Sequence, residues 1–267
     1  MNTKTRNDTP PQLRALVRAM GMEKILFISH GGKGGVGKSY VAGAATEILL
    51  EAGHHVTIVE ADPTQPDVAA RYLHDPDVSV GALSLNRAGD AENAISEFGN
   101  WLERSGGNHV VANLPAGAGE TLDDFGDQLR FLADGLGYRL VMTYSLEKNR
   151  VAMEEMVESF NSGLMSHVAQ ENRFIIIPAY KGAPESFEWM THPARAAMGV
   201  REVIFPALGN RSALKKLEAT PGRIAHLIVP PYVGCEGWML LDKSSVFRWH
   251  TAVLQAMSPI FEVDAHE

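Results

Sequence analysis

Short apolar runs alternate along this chain with longer segments whose apolar residues recur at helical spacing. Ile25-Leu26-Phe27-Ile28, His55 to Glu60, His109 to Ala112, Arg139 to Thr143, Phe174 to Ile177, Val203 to Phe205 and His226 to Val229 each read as a strand. Strands that are apolar at successive positions are buried on both faces, the pattern of a parallel sheet covered by helices on either side. Val41 to Glu51, closed by Gly53, reads as a helix, as do about Glu147 to His167, Ser212 to Glu218 and Lys243 to Met257. Met153, Met156 and Met165 in the second of these form a core stripe rather than a ligand box. The alternation predicts one α/β domain over residues 23–267, with a mostly parallel twisted sheet and helices on both faces. Residues 1–22 form an extension in which Gln12 to Gly21 reads as a short amphipathic helix with two arginines. Docking on the core, recruiting a partner and touching a membrane are all open to it, and so few cations favour docking.

Between the first strand and the first helix lies Gly32-Lys33-Gly34-Gly35-Val36-Gly37-Lys38-Ser39, which fits the phosphate-loop pattern G-x-x-x-x-G-K-[ST] in full. Glycines let the backbone turn several N–H groups inward around a phosphate, and the following helix adds its positive N-terminal end. Lys38 is placed to reach the β- and γ-phosphates and the Ser39 hydroxyl to ligate Mg²⁺. The loop therefore points to a nucleoside di- or triphosphate with Mg²⁺. Lys33 has no evident task in cradling phosphates of its own subunit, so it is free to cross to the nucleotide of a partner.

Lys33-Gly34-Gly35-Val36-Gly37-Lys38-Ser39 resembles the signature K-G-G-x-x-G-K-[ST] of the deviant Walker A ATPases, the ParA and MinD family of partition and positioning proteins. The resemblance spans roughly Glu23 to Pro231, with its specific motifs in the first half. It implies a single P-loop NTPase domain, a nucleotide-sandwich homodimer in which Lys33 acts across the interface, and slow ATP hydrolysis. Ala61-Asp62-Pro63-Thr64-Gln65 looks like the first switch, where Asp62 would orient the attacking water and Glu60 replaces the usual first aspartate. Asn113-Leu114-Pro115-Ala116-Gly117 resembles the D-x-P-A-G second switch, but with an amide where a carboxylate is expected. Glu60 and Asn113 would then meet Mg²⁺ through water. Two outcomes stand open: a neighbouring carboxylate sustains slow hydrolysis, or the protein binds ATP without hydrolysing it and acts as a scaffold. Tyr40 replaces a threonine that touches the α-phosphate and either caps the nucleotide or packs on the helix. Pro178-Ala179-Tyr180 lacks the asparagine expected at the adenine, and Pro231 is a candidate border to the base. The resemblance suggests plasmid partition, conjugative transfer or mobilisation, or the positioning of another cargo, with an unidentified partner protein. A small-molecule kinase is a third reading, disfavoured because it gives Lys33 no role.

At 267 residues and 45% hydrophobic content the chain is long enough to bury one sizeable core. No apolar run approaches about 18 residues and no signal-peptide pattern opens the chain, so a cytoplasmic protein is expected. One cysteine, Cys235, excludes the iron-sulfur relatives that use two per chain, and it reads as an inert loop or buried thiol. The ten histidines show no metal spacing; His54 and His55 are a turn pair whose side chains diverge. A net charge of -8 disfavours broad DNA binding, although Arg211, Lys215 and Lys216 form a local basic excess that reads as a DNA contact or a solvated helix face. The acidic tail after Glu262 disfavours a membrane-binding C-terminal helix, leaving core packing as the fate of Phe247 to Leu254.

Overall fold

The computed structural model describes residues 23–61, 66–83, 91–105, 107–118 and 122–262. The N-terminal helix expected over 12–21, Asp62 to Gln65 and the acidic tail beyond Glu262 lie outside them. In chain order the regular elements are β1 (Lys24–His30), α1 (Lys38–Glu51), β2 (Val56–Glu60), α2 (Asp67–Tyr72), β3 (Val78–Ala82), α3 (Ala91–Arg104), β4 (His109–Asn113), α4 (Gly126–Gly135) and β5 (Tyr138–Ser145). They continue as α5 (Arg150–Asn161), β6 (Arg173–Pro178), α6 (Pro193–Met198), β7 (Arg201–Phe205), α7 (Arg211–Ala219), α8 (Ile224–Ile228) and α9 (Leu240–Met257).

The strands form one seven-stranded sheet in the order β3-β2-β4-β1-β5-β6-β7, and every pairing among the described residues is parallel. Alternate side chains of each strand enter different cores, as a period of two requires. Ile25 and Phe27 join α1, α2 and the C-terminal helices on one face. Leu26 and Ile28 join α3, α4 and α5 on the other. This is the expected α/β architecture with helices on both faces. Among the described residues no helix is long and apolar enough to cross a membrane.

Three elements differ from the sequence expectation. His226 to Val229 is not a strand: His226 to Ile228 belong to α8 and Val229 caps its end, with Ile224, Leu227 and Ile228 buried at helical spacing. A four-residue apolar run carries no decisive period. Pro231 consequently follows a helix rather than a strand. The helix expected over 147–167 is α5 alone: the Asn149 side chain caps its start by accepting from the Ala152 amide at 3.0 Å, and after the extended Gly163 the chain makes a separate 3₁₀ turn at Leu164–His167. The edge strand β3 was not anticipated, because an edge exposes most of its side chains and lacks a continuous apolar run. Phe247 to Leu254 packs as expected, with Trp249, His250, Val253 and Leu254 buried.

Candidate functional site

The loop from Gly31 to Gly37 joins β1 to α1 at the carboxyl edge of the sheet, where open α/β folds bind ligands. Its conformation depends on two glycines with positive φ, Gly35 at 72° and Gly37 at 90°. Gly37 is also tied to its surroundings: a Cβ there would lie 2.6 Å from the Tyr180 hydroxyl. Val36 is buried and anchors the loop from inside, while Gly34 and Gly35 are exposed. The Gly32 amide donates to the Tyr144 hydroxyl at 3.2 Å. Tyr180 donates from the other side to the Gly35 carbonyl at 3.3 Å. Burial pushes the Tyr144 and Tyr180 hydroxyls up to about 12, so both stay protonated, Tyr144 accepting and Tyr180 donating in these two bonds.

Lys38 is buried and donates from Nζ to the Lys33 carbonyl at 2.8 Å, which places its ammonium within the loop. Ser29 on β1 donates to the Lys38 carbonyl at 2.9 Å, fixing the first turn of α1. His30 lies beside them, edge-on to Tyr144 with ring centroids 5.0 Å apart. Burial, assisted by the Lys38 charge, drives its imidazole down to about 3, so it is neutral and adds no competing cation. Lys33 is partly exposed on the rim, 3.5 Å from Asn149 Oδ1.

Parallel register places Glu60 and Asn113 side by side, since Asn113 pairs with Glu60 on β2 and with Ser29 on β1. Asn113 Nδ2 donates to Glu60 Oε2 at 3.1 Å and to Ser39 Oγ at 3.2 Å. The other Glu60 oxygen accepts from the Val68 and Ala69 amides at 2.8 and 3.0 Å, holding the start of α2. Burial pushes the Glu60 carboxyl up, against the opposing pull of Asn113 and those two amides. Asn113 Oδ1 is buried and has no hydrogen-bond partner in the protein. A buried acceptor left open on the side chain whose Nδ2 bonds the Ser39 hydroxyl suits a water on a hard cation, and the Glu60 carboxylate, 3.1 Å from that Nδ2, supplies the charge that the amide lacks. The residues present therefore fit Mg²⁺ held by Ser39, with Asn113 and Glu60 behind it.

The structure thus brings together Gly32 to Ser39, Glu60 and Asn113. Asp62 lies outside the described residues. Tyr40 packs on the helix: its hydroxyl donates to Glu218 at 2.6 Å and its ring meets Trp249 edge-on. Pro231 is exposed, and the strand expected before it is absent. In the basic segment Arg211 and Lys215 are exposed, whereas Lys216 is bound to Asp242. Cys235 is buried and its thiol donates to the Tyr232 carbonyl. His54 and His55 diverge, one against the His109 ring and the other toward Asp77. Sequence reasoning missed Tyr144 and Tyr180 as supports of the loop, because their contacts depend on strand neighbours and not on a motif.

No family model matches the chain. It is similar to Protein MobD of Acidithiobacillus ferrooxidans, with 25% identity over 194 residues, 71% of this chain and 81% of that protein. A solved structure of the cell division protein ftsY from Thermotoga maritima aligns over 72% of this chain and 67% of its own, at 12% identity and a TM-score of 0.45. A nucleotide-binding protein from Archaeoglobus fulgidus, solved in complex with ADP, aligns over 77% of this chain and 88% of its own, at 14% identity and a TM-score of 0.44.

Proposed function

We propose that the protein is an ATP-binding dimerisation switch of ParA and MinD type that hydrolyses ATP slowly. The observation that carries this reading is the meeting of Lys38, Ser39, Asn113 and Glu60 at one end of the sheet, with Lys33 left on the rim. Loop amides and Lys38 bind the phosphates. Ser39 holds Mg²⁺, which when bound neutralises charge on the phosphate oxygens. Asn113 Oδ1, on an amide held by Glu60 and Ser39, would accept from a water of that cation. Asp62 orients the attacking water, and Lys33 reaches the nucleotide of a second copy.

Mobilisation or transfer of a plasmid is the setting that the likeness to Protein MobD favours over partition or other cargo positioning. The partners are a second copy of the chain and a protein of that machinery, with DNA contact through Arg211 and Lys215 as a lesser element. One observation favours a scaffold without turnover instead: the side chain bonded to the Ser39 hydroxyl is a neutral amide.

Single-turnover hydrolysis with excess protein separates the two readings, read beside light scattering with and without Mg²⁺ and ATP. The switch reading expects an ATP-dependent dimer, slow ADP formation, loss of binding in Lys38→Ala, and loss of dimer with ATP binding retained in Lys33→Ala. A dimer that forms equally without nucleotide overturns it, and a nucleotide-dependent dimer with no ADP above background supports the scaffold.

A further inference from the structure

Between α1, α2, α7, α8 and α9 lies a cavity of about 340 Å³. It shares Ser39 and Val68 with the nucleotide site, but its charged groups are different. At its wall sits Glu47, a charged residue in the middle of the apolar face of α1 and 1% exposed. Its Oε1 accepts from the Tyr72 hydroxyl at 2.9 Å and from the Ile224 amide at 2.8 Å. Its Oε2 is buried and accepts no hydrogen bond. His250 Nε2, also buried on the cavity wall, lies within ion-pair reach of that oxygen at 3.4 Å, although the two atoms make no hydrogen bond.

The rest of the lining has one chemical bias. Glu218 and Asp67 add two carboxylates, and Glu218 is fixed by the Tyr40 hydroxyl. The single guanidinium, Arg71, is directed at the carbonyls of Leu217, Thr220 and Gly222. Trp249 donates its indole N–H to the Pro206 carbonyl at 3.0 Å, so toward a ligand it offers ring surface and no donor. Aromatic surface, apolar walls and an unsatisfied buried carboxylate oxygen are together suited to a positive nitrogen on a compact apolar body. An anion would face three carboxylates, and a neutral apolar molecule would leave Glu47 Oε2 with only the 3.4 Å approach of His250.

We propose that this cavity is a binding site for a small organic cation, an amine on an apolar or aromatic body, whose nitrogen bonds Glu47 Oε2 while its body lies against Trp249 and Tyr40. Such a site adjoins the nucleotide site at Ser39 but does not rest on the switch reading.

Isothermal titration of the full chain with benzylamine, and with benzyl alcohol as its neutral counterpart, tests this. Benzylamine is expected to bind with 1:1 stoichiometry and the alcohol at least about tenfold more weakly, the difference a hydrogen bond to a buried charge makes. Glu47→Gln is expected to weaken benzylamine by the same factor. Gly43→Leu checks the location without touching the charge: Gly43 lines the cavity, and a Cβ there would have only the Tyr72 hydroxyl within 4.0 Å. The leucine fills the cavity and should abolish binding, which keeps the test decisive if Glu47→Gln does not fold. Absence of benzylamine binding at millimolar concentration, equal binding of the alcohol, or unchanged binding in Gly43→Leu overturns the proposal.

Discussion

Replacing Asn113 by aspartate restores the residue expected at the second switch, yet here it should destabilise the protein. The Asn113 amide donates to Glu60 Oε2 at 3.1 Å, so the variant sets two carboxylates at about that separation. Two unit charges so close repel by about 5 kcal/mol at an effective dielectric constant of ~20. The alternative is for one carboxyl to stay protonated. From an ordinary value of 4.5, that costs about 3.4 kcal/mol at pH 7, at roughly 1.36 kcal/mol per pH unit. Protonation is the cheaper route, and it starts from a Glu60 carboxyl that burial has already raised. The expected loss at pH 7 is therefore about 2–3 kcal/mol. Its pH dependence has a definite sign. The folded pair holds a proton that the unfolded chain has released, so the deficit is small near pH 5 and grows as pH rises through 7 to 8. Urea unfolding of Asn113→Asp beside the unaltered protein at pH 5, 7 and 8 measures it, and Mg²⁺ with ATP should narrow it because a divalent cation replaces the proton. A variant as stable as the parent at pH 8, or a deficit that does not change with pH, would refute the reasoning.

Further tests reach the supports around the site. Tyr180→Phe removes the hydroxyl that braces Gly35 and should weaken ATP binding by about two- to tenfold, the worth of one hydrogen bond; equal affinity in a fluorescent-nucleotide titration would show that the brace is idle. His109, whose Nδ1 accepts the Ile25 amide at 3.2 Å, is lowered from 6.5 to about 4, first by burial and then by His54 and Arg139. A depressed histidine contributes stability that is present above pH 6.5 and is lost as pH falls through about 4. The loss, discounted for its partial solvation, is about 1–2 kcal/mol and should shrink in His109→Gln. Leu49→Ala, at a fully buried position of α1, should cost about 2–5 kcal/mol in urea unfolding without altering the loop sequence.

The strand that precedes the loop, the loop and α1 were legible because each has its own local signal: a continuous apolar run, glycines in register with Lys38-Ser39, and helical spacing ended by Gly53. The second half was harder to read. His226 to Val229 has the composition of a buried strand, and only the burial of Ile224 with Leu227 and Ile228 shows the helical face. Glu47 was equally visible as a charge inside the apolar run Val41 to Leu50, but nothing local names Tyr72, Ile224 or His250 as its neighbours. These partners come from distant parts of the chain, and tertiary packing alone assembles them.

The departures at Glu60 and Asn113 make physical sense as one change rather than two. A glutamate on β2 is long enough to bond the start of α2 with one oxygen and Asn113 with the other. A second acid at 113 would sit in register beside it and force a buried proton between them. An amide there instead donates to Glu60 and Ser39 together and leaves Oδ1 open. The negative charge of this pair thus lies on Glu60, which holds α2, and not on the side chain bonded to Ser39. On this account exchanging both residues, Glu60→Gln with Asn113→Asp, should recover most of the stability that Asn113→Asp loses, because only one carboxylate remains in the pair. Recovery of less than half in the double variant, measured at pH 8, would mean that the two positions are not coupled through charge.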